Sequence, residues 1–86
     1  MTDIAELVPA ATAIGEKWAH ELVRSLHSDD RQVIGGWPGT MSEARMRILA
    51  GMQVKLDAAV LDELARVANL AARRGWQEVS QPDLEP

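Results

Sequence analysis

Apolar residues recur every three or four positions through the first third of the chain, at Ile4, Leu7, Ala11, Ile14, Trp18, Leu22 and Leu26. That interval sets them on one face of an α-helix. Two starts fit. Pro9 suits the first turn of a helix, where its missing N–H is not needed, and this gives a helix over 9–28. Alternatively, Asp3 and Glu6 form a capping pair and a short first turn from Asp3 runs into the same helix. From Pro9 to His27 it would measure about 28 Å. Ser28-Asp29-Asp30 ends it, because these side chains bond their own backbone in turns.

The stretch Arg31-Gln32-Val33-Ile34-Gly35-Gly36-Trp37-Pro38-Gly39-Thr40 then breaks all periodicity, and its glycines and proline preclude regular helix or strand. Thr40 with Glu43 matches the capping box, in which each side chain satisfies the other residue's backbone N–H. A second helix is therefore predicted over 41–52, with Ala44, Ile48, Leu49 and Met52 inward and Arg45 and Arg47 pointing elsewhere. Gly51 and the alternation at Val54-Lys55-Leu56 predict a break near 53–57, and Asp57 is a good N-cap for the next helix. That third helix is expected over 57–74, with Val60, Leu61, Leu64, Val67, Ala68 and Ala71 inward. Arg73 and Arg74 suit the negative end of its dipole, and Gly75 reads as its left-handed stop. Ser80-Gln81-Pro82-Asp83 is similar to another helix start, but the chain ends at Pro86, so a frayed tail is expected from about residue 77. The predicted architecture is all-α: a single domain over 1–86, small and three-helical, with a structured Gly/Pro/Trp loop between helices 1 and 2. Helices 2 and 3 are expected to form a hairpin against helix 1.

Composition sharpens this picture. Apolar residues make up 47% and charged residues 26% of the chain, as in an ordinary globular protein. Phe and Tyr are absent and Trp occurs three times, so the core must be built largely from Ala and Leu. A domain of this size buries only roughly 60–65% of its unfolded surface, and a core poor in large side chains gains from dimerisation. Ala65, Ala68, Ala71 and Ala72 are wider than one inward stripe needs, which points to a second packing surface and a homodimer. Without cysteine there is neither a disulfide framework nor a thiolate metal site, which fits a reducing compartment. Acids at Asp3 and Glu6 stand where a secretory leader would carry Lys or Arg, and no apolar run approaches the roughly 20 residues of a spanning helix. The cytoplasm is the expected location.

No residue pattern points to catalysis. His20 and His27 are about 10 Å apart along one helix face, too far to share a metal ion, and Glu16 with His20 is at most a weak chelating pair. His27-Ser28-Asp29 has the residue types of a triad, but sequence neighbours cannot reach the required geometry. The Trp37 loop precedes a helix N-terminus without the preceding strand or the Gly-Lys-Ser/Thr of a phosphate-binding loop. Trp37 itself is either an exposed anchor for a partner or a lid folded over a core that lacks Phe and Tyr. Glu43 with Arg47 and Asp62 with Arg66 have the order that favours ion pairs along a helix.

Two partial resemblances bear on nucleic acid. Met52-Gln53-Val54-Lys55-Leu56-Asp57 and the helix after it resemble the strand and first helix of ribbon-helix-helix repressors, which implies alternate strand residues facing the major groove. Such a repressor also needs a second helix, which has no counterpart after Gly75. A central helix followed by Arg73-Arg74 and then Val79-Ser80 leading to Pro82-Asp83 is similar to a histone-like arrangement, with Gly51 and Asp57 interrupting its long helix. The net charge of −4 is opposite to the usual footprint of a nucleic-acid binder.

The expected function is accordingly that of a non-enzymatic small helical protein acting through protein–protein interaction as a homodimer. Trp37, Pro38, Ala65 and Ala72 would lie in its partner surface, and no catalytic residue, metal or cofactor is called for. The alternative is a DNA-binding regulator or histone-like architectural protein that uses Arg45, Arg47, Arg73 and Arg74.

Overall fold

The structure, a computed structural model, describes residues 4–26 and 35–80, which form three helices: α1 (Ile4–Ser25), α2 (Met41–Met52) and α3 (Ala58–Ser80). The expected cap at Asp3, the turn at Ser28-Asp29-Asp30, His27, Arg31 to Ile34 and the tail from Gln81 lie outside the described residues. Gly15 of α1 meets Ala68 of α3, and Ala19 lies near Gly75, so α1 and α3 run parallel. Ile14 packs at Gly51 and Glu21 binds Arg47, so α2 runs opposite to both. The result is an up-down-up bundle.

α1 starts a turn before Pro9, which lies inside the helix on its exposed side. An internal proline removes one backbone hydrogen bond and costs about 3 kcal/mol. The first turns nevertheless hold because Ile4, Leu7 and Val8 pack onto the cluster of Ala11, Ile48, Leu64 and Ala68. The outcome is close to the second of the two predicted starts, with the helix beginning near residue 4 instead of at Pro9.

α2 matches the prediction at both ends. The Thr40 hydroxyl accepts the Glu43 N–H at 3.2 Å, and Gln53 closes the helix in the left-handed conformation at φ 53°. Gly51 does not break it. A side chain there would press on the Ile14 Cδ1 at 2.8 Å, so the glycine lets α1 come close. Ala44 and Ile48 are buried and Met52 is half-buried, as expected from their spacing. Leu49 is 51% exposed, because one residue past Ile48 it has turned about 100° away from the core. No strand forms at 53–57, where Gln53 and a bend at Val54 separate α2 from α3.

α3 departs most from expectation, continuing through Gly75 to Ser80. Gly75 is a contact residue in place of a stop: a Cβ on it would lie 3.2 Å from the Ala19 Cβ of α1. By extending past it, the helix delivers Trp76 into the interior, where it is fully buried.

Candidate functional site

The tryptophans decide the role of the 35–40 loop. Trp37 stands edge-on to Trp18, with ring centroids 4.8 Å apart, and to Trp76, at 5.8 Å. Its Nε1–H donates to the Asn69 Oδ1 at 2.7 Å, and Trp76 Nε1–H donates to the Gly35 carbonyl at 3.0 Å. The loop is thus tied to α3 at two points, and Trp37 lies half-buried over Trp18, Ala19, Ala44, Ala65 and Ala72. Gly39 is required beneath it, since a side chain there would overlap the indole ring. Trp37 is therefore the lid of the core, and of the two loop residues expected in a partner surface, Trp37 and Pro38, it is Pro38 that is exposed. Trp37→Phe keeps most of the ring and loses the donor to Asn69, so it should lower stability by about 1 kcal/mol, as urea titration would measure. An unchanged midpoint would show that the bond contributes nothing.

The alanines expected to form a second surface are internal. Ala65 and Ala72 are both 0% exposed and pack with Trp18, while Ala68 packs with Ala11 of α1 and Ala71, 8% exposed, lines the groove between α1 and α3. The width of the alanine face has a simple cause: α3 packs against α1 on one side and α2 on the other, and small residues admit both helices and the bulky indoles. The feature that suggested a dimer interface is used within one chain.

The arginines do not converge. Arg45 reaches across to Asp62 of α3 at 2.6 Å, and Arg47, on the opposite flank of α2, binds Glu21 of α1 at 3.0 Å and approaches Glu43 at 3.5 Å. Arg47 also lies 5.1 Å from the Trp18 ring centroid, in cation–π range. Of the two predicted helix pairs, Glu43 with Arg47 forms, whereas Arg66 is held by both carboxylate oxygens of Glu63 at 2.7 Å and leaves Asp62 to Arg45. Arg73 and Arg74 are exposed on α3, away from the α2 arginines, and neither has an ion pair among the described residues.

Glu16 and His20 line a shallow groove of about 430 Å³ between α1 and α3, with Arg74 and Glu78 on the facing side and Ala71 and Gly75 at its base. No group of three potential metal-binding side chains occurs among the described residues.

A different surface emerges on α2. On its solvent side Ser42, Met46, Leu49 and Ala50 are exposed and uncharged, with Met46 at 69% exposure, and the exposed Glu43 borders them one turn before Met46. Val54, 50% exposed, lies just beyond the end of α2. The charges on either side, Arg45 on one flank and Glu43 and Arg47 on the other, are paired within the chain. The sequence carried a signal for this strip: Ser42, Met46 and Ala50 recur at intervals of four with no charge among them. It was obscured by the assignment of Leu49 to the core. Compared with family models, with curated proteins and with solved structures, the chain matches none.

Proposed function

We propose that this chain is a non-enzymatic helical interaction module that docks a protein partner on the outer strip of α2. The observation that carries the reading is the exposure of Met46 and Leu49, 69% and 51%, beside Ser42 and Ala50 on a strip whose bordering charges, Glu43, Arg45 and Arg47, are paired within the chain. Large apolar side chains grouped on one face and rimmed by polar residues mark a protein contact more than a solvent surface. The rim supports the same conclusion: Arg45 and Arg47 are already neutralised by Asp62, Glu21 and Glu43, so the strip offers little to a phosphate backbone. A cytoplasmic setting accords with the lack of cysteine.

The test is affinity capture from native lysate with the wild-type chain and with Met46→Glu, at low and moderate salt, with and without nuclease. The wild type should retain a defined protein, another copy of this chain included, whatever the nuclease treatment, and Met46→Glu should lose it. Recovery that disappears with nuclease or with salt would support the DNA-binding alternative instead. Equal capture by both proteins would remove the α2 strip from the function.

A further inference from the structure

We propose that the groove between α1 and α3 binds a small zwitterion, an α-amino acid with an apolar side chain, whose carboxylate pairs with Arg74 and whose ammonium pairs with Glu16 and Glu78. No residue of α2 lines this groove, so the proposal stands apart from the docking strip. The floor comes first. Ala19, Ala71 and Gly75 are small where α1 and α3 approach closely, since a Cβ at position 75 would lie 3.2 Å from that of Ala19. Side chains this short leave the space above them open, and Val23 adds an apolar wall toward the C-terminal end of α1. The space of about 430 Å³ falls within the roughly 300–1,000 Å³ of small-molecule sites.

The charges decide the ligand. Glu16 and His20 stand one turn apart on α1, and Arg74 and Glu78 one turn apart on α3, so both signs border the same small space. These four residues are exposed, and among the described residues none of them forms an ion pair, whereas Arg45, Arg47 and Arg66 each hold a carboxylate. Arg74 precedes Glu78, the less favourable order for a pair along a helix. Its guanidinium is therefore available to a ligand.

A simple anion would meet two carboxylates here, and a simple cation would meet Arg74. An uncharged apolar molecule would use the floor alone. A molecule with an ammonium and a carboxylate on one carbon satisfies both signs at once. The guanidinium takes the carboxylate through parallel N–H donors, the two acids take the ammonium, the His20 ring adds a hydrogen bond, and the floor takes the apolar side chain. The groove is shallow and its charges are exposed, so each contact contributes modestly and the dissociation constant is on the order of 1 mM.

Amide NMR spectra of the full chain, titrated with L-leucine up to tens of millimolar, test this. Leucinamide, which lacks the carboxylate, and isocaproate, which lacks the ammonium, are the matched probes. L-leucine should give saturable shifts at Ala19, His20, Ala71 and Gly75, and each matched probe should bind about tenfold more weakly, the effect of losing one charged contact. Arg74→Gln should reduce L-leucine to the level of leucinamide without weakening leucinamide itself. Glu78→Gln should do the converse, weakening L-leucine and sparing isocaproate. Arg73→Gln, at the neighbouring exposed position outside the groove, should change nothing. Circular dichroism checks that each variant folds. Absence of saturable shifts with L-leucine, shifts that map away from the groove, equal binding of the three probes, or an Arg74→Gln protein that binds L-leucine as the wild type does would each overturn the proposal.

Discussion

Replacing Trp76 with alanine should cost about 3–5 kcal/mol of stability, the usual range for emptying a buried tryptophan site. The side chain is fully buried, packs edge-on to Trp37 and donates its Nε1–H to the Gly35 carbonyl. Three effects add in the same direction. The apolar area is lost, a cavity opens beside Trp37, and the loop loses one of its two ties to α3. For a domain of this length, about 1 kcal/mol corresponds to 4–8 °C in melting temperature, so the midpoint should fall by on the order of 15 °C or more. Since small domains have only about 5–15 kcal/mol in total, a large share of the molecules could unfold at ordinary temperature. Thermal and urea unfolding followed by circular dichroism measure this, with Gln77→Ala, at an exposed neighbouring position, as the control. A Trp76→Ala loss no larger than the control's would mean that the helix ends before Trp76 and the ring is not in the core.

That Trp76 is a core residue was hard to see in the sequence, and the reason is physical. Arg73-Arg74-Gly75 has the composition of a helix C-terminus, and composition near a helix end is a local signal. What keeps α3 going is non-local: beyond Gly75, which lies against Ala19 of α1, the helix buries Trp76 beside Trp37. The same contrast runs through the molecule. The three apolar stripes, the Thr40 cap and the break after Met52 were legible because they depend on residues within a turn or two of one another. The role of Trp37 depends on Asn69, thirty-two residues away, so the sequence left both anchor and lid open. Ala65 and Ala72 looked surplus until Trp18 was seen to fill the space above them. Arg45 and Arg47, two residues apart, turn to different helices and find different acids, which no count of charges could reveal. Once Leu49 is moved out of the core, the uncharged strip of α2 follows from the helical period alone.

Gly15→Ala should destabilise the chain by about 2 kcal/mol, although the substitution improves helix propensity by roughly 1 kcal/mol. A Cβ at position 15 would stand 2.1 Å from the Ala68 carbonyl oxygen, 2.8 Å from its carbon and 3.0 Å from its Cα. All three obstacles are backbone atoms, so no rotamer change relieves them and the two helices must separate. Separation at this point also loosens the contacts of Ala11 and Ala68 with Ile48 and Leu64. Overfilling a packed interior costs about 1–3 kcal/mol, occasionally more, and an obstacle that cannot rotate away belongs at the upper end, which outweighs the propensity gain. Gly51→Ala supplies the contrast. Its Cβ would meet only side-chain atoms of Ile14, Cδ1 at 2.8 Å and Cγ1 at 3.2 Å, and a half-buried side chain can turn aside where backbone cannot. The propensity gain should then offset most of the crowding, leaving stability within about 0.5 kcal/mol of the wild type. Gly75→Ala should fall between them, because its nearest obstacle is the Ala19 Cβ at 3.2 Å, a contact a few tenths of an ångström can relieve. Urea titration of the three variants gives the order directly. A Gly15→Ala protein as stable as Gly51→Ala would show that α1 and α3 are not in backbone contact, and the parallel pairing on which the bundle rests would have to be redrawn.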